Sequence, residues 1–400
     1  MDCSIWPELD LGELSREQFR RLGGRRYPLA GSFELTERCN LACLHCYINQ
    51  PAGSQAAQAL ELSTAQVAGI LDQIADAGCL YLVLTGGEPL LRPDFAEIYC
   101  HASKVGILLT LFTNGTLLTP RIADFLAEWR PRVLEITLYG ATQATYERVT
   151  QAPGSYARCL RGIELALERK LPLRLKTMVI RANRHELQDM KGLAAQLGVH
   201  FRYDGLLWPR KDGGEQPYAE RLSPQQIVAL DLDDGERMLA WQQALTRTPD
   251  VIRPDSIYAC GAGRYSFHVD CAGELSPCMM ARLPAHDLLQ GSFSAAWKAL
   301  EGPVVAKRQL DTPCRTCTIG VLCTQCPGWS QTVHGDNETP VAFVCELGRL
   351  RAAQFHQSTP QKIGGEKRDE QGYGEEAIQG AHFQESAPGR QDVSSRRVLP

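Results

Sequence analysis

The stretch Glu37-Arg38-Cys39-Asn40-Leu41-Ala42-Cys43-Leu44-His45-Cys46-Tyr47 decides how this chain is read. Its spacing, C-x3-C-x2-C, lets one loop wrap three thiolates around a single inorganic centre. Three thiolates on a four-iron cube leave one iron without a protein ligand. That suits a cluster that binds a small molecule, whereas electron-transfer clusters generally have four cysteines. The same spacing also admits a structural zinc loop, with His45 or a distant residue as fourth ligand.

Outward from the loop, residues 31–205 repeat a short apolar run, a polar turn and an amphipathic segment, the pattern of successive βα units. The runs predict strands at Ser32–Thr36, Cys79–Thr85, Ile107–Phe112, Val133–Tyr139, Leu173–Ile180 and His200–Asp204. Helices are expected at Thr64–Ala77, Pro93–Lys104, Pro120–Trp129, Ser155–Lys170 and His185–Leu197, with Ser63 and Thr119 as caps and Pro120 at a tolerated first position. Six such units with right-handed crossovers make an α/β fold whose parallel sheet curves into a partial (β/α)6 barrel, with its chemistry at the C-terminal strand ends. A doubly wound open sheet has the same period. The expected organisation is an N-terminal extension (1–30), a core (31–208), a linker with one helix near Pro224–Thr246 (209–254), a small Cys-rich module (255–351) and a polar, disordered tail (352–400).

The 400 residues carry 42 Lys and Arg against 46 Asp and Glu, a net charge of -4, without the basic excess used to neutralise phosphates. Nucleic acid is therefore not an expected partner. No run approaches the roughly 20 apolar residues that span a bilayer, and Met1 to Ala30 lacks a basic stretch followed by an apolar one. A cytoplasmic protein without membrane contact is expected. In that reducing setting, 15 cysteines are better read as metal or redox ligands than as disulfides.

On the cysteine loop and the glycine-rich segment Thr85-Gly86-Gly87-Glu88-Pro89 one βα unit later, the chain resembles the radical S-adenosylmethionine (radical SAM) superfamily. The resemblance implies that Cys39, Cys43 and Cys46 hold a 4Fe-4S cluster and that its open iron binds S-adenosylmethionine (SAM). It implies that His45 lies near the adenine, and that Gly86, Gly87 and Glu88 contact the methionine amino group. Glycine suits a close backbone approach, and a carboxylate accepts a charge-assisted hydrogen bond from an ammonium. Asn114, in Thr113-Asn114-Gly115, and Thr137, at the usual ribose position, are the weaker matches. The family's arginine after the fourth strand has no register here, since Arg148 is one position off.

Cysteines recur at Cys260, Cys271, Cys278, Cys314, Cys317, Cys323, Cys326 and Cys345. The run from Cys314 to Cys326, C-x2-C-x5-C-x2-C, is also the spacing of a zinc ribbon. The whole order resembles the SPASM extension of radical SAM enzymes that mature peptides, which carries two auxiliary 4Fe-4S clusters. By order, the resemblance gives Cys314, Cys317, Cys323 and Cys345 to one cluster and Cys260, Cys278 and Cys326 to the other. Cys271 either completes the second cluster or stays free. Two residues rather than three separate Cys323 from Cys326, so the division of ligands is less fixed than their total. Cys79, Cys100 and Cys159 read as buried apolar residues.

Asp204, before Gly205 at the sixth strand end, is a candidate for proton handling, though Asp-Gly is also an ordinary turn signal. Tyr203, Lys176, Glu135 and His185 are polar residues at strand ends or helix starts that no motif singles out. The leading expectation is a radical SAM oxidoreductase acting on a peptide or protein side chain by hydrogen abstraction. Its partners would be an electron donor such as ferredoxin or flavodoxin and a separate leader-peptide-binding protein, since about 30 residues before the first strand are too few for a fused winged-helix domain. The alternatives are radical chemistry on a small molecule such as a tetrapyrrole, and a zinc-stabilised binding module.

Overall fold

The computed structural model describes residues 25–48, 50–247, 255–319 and 322–355. Strand β1 (Ala30–Glu34) leads into a two-residue strand, β2 (Arg38–Cys39), which pairs in parallel with β3 (Gln50–Pro51) and closes the base of the cysteine loop. Then follow β4 (Tyr81–Thr85), β5 (Leu108–Thr113), β6 (Val133–Thr137), β7 (Leu173–Met178) and β8 (His200–Asp204). Each of these pairs in parallel with its predecessor in the main sheet, starting from β1. The main sheet is α/β with parallel neighbours in chain order, as the βα period predicts.

The sheet does not stop at the barrel strands. β9 (Ser266–Val269) pairs in parallel with β1 on the side away from β4, and β10 (Glu274–Ser276) and β11 (His286–Asp287) extend it antiparallel. The nine strands run β11-β10-β9-β1-β4-β5-β6-β7-β8. Nothing in the 255–351 region signals this from sequence, because β9 is four residues long and its partner lies more than 230 residues earlier.

Alternation along the strands divides the sheet into two faces. On one face Leu82, Leu84, Leu109, Leu111, Leu134, Ile136 and Leu175 are buried with Val67, Ile70, Ile98, Leu126, Ile163 and Met190 of the helices in one core. Truncating any of these Leu residues to Ala costs about 2–5 kcal/mol. The other face carries Ser32, Glu34, Thr85, Phe112, Glu135, Thr137, Lys176, Arg202 and Asp204. Parallel strands buried on both sides usually read as continuous apolar runs. A polar second face marks the side on which chemistry can be built.

The helices follow their caps. Ser63 and Gln66 form a capping box at Thr64–Asp76, and Thr119 accepts from Ile122 N at the start of Pro120–Glu128. Two features depart from the sequence reading. The single helix expected near Pro224–Thr246 is two, Pro224–Leu232 and Gly235–Arg247, because Asp234 Oδ1 accepts from Arg237 N (3.1 Å) and starts a new helix. An additional helix, Gln143–Thr150, is capped by Thr142. The 352–400 tail lies outside the described residues beyond Phe355, the end of the last helix, Ala342–Phe355. No helix among the described residues is long and apolar enough to cross a membrane.

Candidate cluster and cosubstrate site

The cysteine loop is stitched down on every side by backbone. Ala42 N and Leu44 N donate to Thr150 O (2.9 Å) and Val149 O (3.0 Å), and Cys46 N donates to Cys43 O (3.1 Å). At its base, the buried Arg38 makes a two-pronged pair with the half-buried Glu61, Nε to Oε1 at 2.6 Å and Nη2 to Oε2 at 2.9 Å. Lys211 pairs with Glu37 from the loop after β8. Burial pushes the Cys39 thiol up to about 12, with Glu88 and then Cys46 adding to it. Cys43 is raised by burial, then by Cys46 and Cys39, so the three thiols lie within electrostatic reach of one another. Such thiols are neutral until a cation arrives, and binding iron would release their protons.

Beside the loop, Gly86 has φ 142°, and a Cβ there would lie 2.2 Å from Thr36 O. A Cβ on Gly87 would lie 2.3 Å from Arg38 O. Gly87 N donates to Thr36 O (2.7 Å) and Glu88 N to Arg38 O (2.9 Å), so the glycine-rich segment is laced to the chain entering the cysteine loop. Only glycine fits at either place. The buried Glu88 carboxylate accepts from Thr113 Oγ1 (2.8 Å), Asn114 N (2.8 Å) and Leu90 N (3.1 Å). Burial outweighs these bonds and raises it to about 7. Asn114 Nδ2 reaches Asn40 Oδ1 (2.9 Å) and lies 3.7 Å from Cys39 Sγ, which ties the end of β5 to the loop.

The His45 ring is tilted against Tyr139, centroids 5.3 Å apart, and burial lowers it to about 4. Its Nδ1 is buried without a partner. Thr137 is half-buried at the end of β6. Asp204 is exposed, and its Oδ1 accepts from Leu206 N (2.8 Å), as a turn aspartate does.

These residues fit a four-iron cluster with a bound amino acid group: three neighbouring thiols, a glycine cradle and a polar ring atom left unpaired. Among the described residues no three His, Cys, Asp or Glu side chains converge on one point as ligands of a single ion. A cube places its thiolates on separate irons and demands less closeness than one zinc ion does.

Several residues that no motif marks complete the surroundings. Glu135 is held by Lys176 (2.8 Å) and Arg202 (2.5 and 2.7 Å), and both cations lie over the Phe112 ring. Against its burial, Lys176 and Arg202 hold Glu135 down to about 2. Burial lowers Lys176 to about 8 even so, against the pull of Glu135. Next to β1, Arg282 and Tyr47 bond the fully buried Glu34 at 2.7 and 3.2 Å, and His268 Nε2 stands 3.6 Å away, an ion-pair rather than a hydrogen-bond distance. Between Tyr47, the loop Pro209–Gly213 and the turn Met279–Leu283 lies a cavity of about 270 Å³. The strand alternation of Glu34 and Glu135 was the available signal for the first two groups; the cavity has none, because its walls come from distant segments.

No described cysteine forms a disulfide. In the C-terminal region, Cys326 begins the helix Pro327–His334, and Gly328 lies so close to the Cys278 turn that a Cβ would meet Met280 O at 2.5 Å. Burial raises Cys326 to about 12, with Cys278 and Cys260 adding to it, so these three cysteines form one group. Burial also raises the Tyr258 phenol, followed by Cys326, Cys278 and Cys260 in that order. Cys271 is elsewhere: after burial, its neighbours are Asp270, Glu34, Lys211 and Glu61. Cys345 accepts from Gln325 Nε2 (3.3 Å), and Cys323 packs on Gly348 one turn along the Cys345 helix. Cys314 lies in the 3-10 turn Pro313–Arg315, three positions before Cys317.

Residues 33–194 match the model of the radical SAM superfamily. The chain is 32% identical over 294 residues to the mycofactocin maturase MftC of Mycobacterium ulcerans, covering 70% of this chain and 77% of the relative. It is 28% identical over 343 residues to an AdoMet-dependent heme synthase of Methanosarcina barkeri, covering 77% of this chain and 94% of the relative. The fold is shared with Streptococcus suis SuiB bound to its precursor peptide SuiA, at TM-score 0.65 and 14% identity, covering 83% of this chain and 80% of that one. With a cysteine loop, a glycine cradle and a parallel sheet arranged as described, and with these likenesses along most of its length, the chain belongs to the radical SAM superfamily.

Proposed function

We propose that this enzyme cleaves SAM reductively and uses the resulting radical to oxidise a peptide or protein side chain. The observation that carries the reading is the cavity walled by Tyr47 of the cysteine loop, by Arg210 and Lys211, and by Met279 and Arg282 beside Cys278. A substrate there would stand between the cosubstrate site and the C-terminal cysteines. The maturase relative and the peptide bound to SuiB support a peptide as its occupant.

Cys39, Cys43 and Cys46 would hold the cluster, which when bound would supply the one-electron reduction that cleaves SAM to methionine and a hydrogen-abstracting 5′-deoxyadenosyl species. The chain's own residues do the positioning. Glu88 would accept from the amino group, Gly86 and Gly87 would leave room for it, Asn114 would steady the cysteine loop through Asn40, Thr137 would take the ribose, and His45 with Tyr139 would cover the adenine. Tyr47 and Arg282 hold the substrate side and help exclude water. Cys314, Cys317, Cys323 and Cys345, and separately Cys260, Cys278 and Cys326, would hold auxiliary clusters that accept an electron from the substrate radical. The outcome is a net oxidation with loss of a carbon-hydrogen bond. A ferredoxin or flavodoxin as donor, and a separate leader-peptide-binding protein, complete the proposed assembly in the cytoplasm.

With a peptide substrate deuterated at the reacting carbon, label is expected in 5′-deoxyadenosine. Product formation without label in that nucleoside overturns the reading. The heme synthase relative, covered over 94% of its length, favours a second substrate class, a tetrapyrrole propionate. Turnover of an iron porphyrin and of no peptide would select it.

A further inference from the structure

Tyr258 is 1% exposed, yet its hydroxyl has no hydrogen-bond partner. A buried, unpaired hydroxyl is destabilising, because it gave up its bond to water for nothing in return. Its electrostatic neighbours are the thiols of Cys326, Cys278 and Cys260. The ring packs within the core, and the backbone carbonyl of the same residue is held by Ser256 Oγ (2.9 Å), so the phenol is fixed in place.

We propose that the Tyr258 hydroxyl donates a hydrogen bond to the sulfur atoms of the centre held by Cys260, Cys278 and Cys326. It is then a positioning residue that tunes that centre, and its orphaned donor is paired only when the metal and sulfide are present. This rests on the reading of those three cysteines as cluster ligands. Three cysteines leave one corner of a cube without a protein thiolate, and a neutral donor beside the anionic sulfurs lowers the cost of adding an electron there. Loss of the donor therefore favours the oxidised form.

The test uses the full chain, reconstituted with iron and sulfide without oxygen. Tyr258→Phe, which removes only the hydroxyl, is expected to keep the full iron content and to lower the potential of one cluster. The ratio of reduced to oxidised centre at fixed potential should fall about tenfold, which is about 59 mV for a one-electron couple. Electron-nuclear double resonance on the unmodified chain should show an exchangeable proton coupled to that cluster, and this reading stands even if the variant fails to fold. An unchanged potential in the variant, or no exchangeable proton in the unmodified chain, overturns the proposal. Loss of iron from Tyr258→Phe also overturns it, in favour of direct ligation by the phenol. Separately, Cys278→Ala should lose iron; full iron content there would show that the three-cysteine centre itself is wrong.

Discussion

The two cysteine regions are built on opposite principles. In the first, three ligands lie within eight residues, and backbone bonds to Thr150, Val149, Thr36 and Arg38 fix the loop before any metal is considered. In the second, ligands come from segments between Cys260 and Cys345, held by short helices, turns and a few close backbone approaches such as Gly328 on Met280. The first site is shaped by the fold. In the second region the sheet fixes β9 to β11 and their core residues, while on the proposed ligand set the cysteine-bearing turns around them would be shaped by the metal they hold. A site that must seat a cosubstrate needs a fixed geometry, whereas a cluster that only passes electrons asks less of the chain around it.

The sharpest way to break this contrast is to remove the first ligand set. Replacing Cys39, Cys43 and Cys46 by Ala should abolish SAM cleavage and remove about one third of the iron, while the fold survives. Residual cleavage at the unmodified rate would refute the assignment. Removal of all metal by a chelator should have the next largest effect: limited proteolysis ought to cut the cysteine-bearing turns of residues 306–326 first and leave 30–205 protected. Equal protection of both regions would show that the C-terminal part is also shaped by its fold.

Gly86→Ala tests how far the first site is preformed. With φ 142° and an oxygen 2.2 Å from the new Cβ, it should cost about 1–3 kcal/mol in thermal stability and weaken SAM binding at least tenfold by calorimetry. Unchanged affinity would mean the cradle is flexible. Glu135→Gln should cost about 1–2 kcal/mol, discounted for the part-exposed Arg202, by leaving Lys176 and Arg202 to repel each other. Its pH signature follows from the held-down carboxylate: Glu135 ionises below the usual carboxylate range when folded, so its contribution is complete above the unfolded value and lost as pH falls toward about 2. A variant whose acid unfolding matches the unmodified chain would dispose of that claim. The smallest effect should be Cys271→Ala, which leaves iron content unchanged, because Asp270, Glu34, Lys211 and Glu61 surround that thiol.

Legibility followed locality. The six parallel strands, and a glycine segment lying close to the chain that enters the cysteine loop, were readable because each signal fits within one βα unit, and His200–Asp204 was bounded correctly at both ends. The parallel addition of β9 was not, since four residues of ordinary composition say nothing of a partner so far away. Glu34 and Glu135 read as strand residues, but their partners Arg282 and Arg202 come from other segments. The break at Asp233-Asp234 was visible in hindsight as a cap inside an otherwise continuous helical pattern.

The pairing of β9 with β1 also has a consequence for biosynthesis. While the chain is being made, β1 gains β4 early but has a bare flank until Ser266–Val269 emerges, some 230 residues later. Until then the strand that delivers the cysteine loop is an edge, with unpaired amides open to other chains. A shortened gene product ending before Ser266 should therefore aggregate rather than yield a smaller working enzyme.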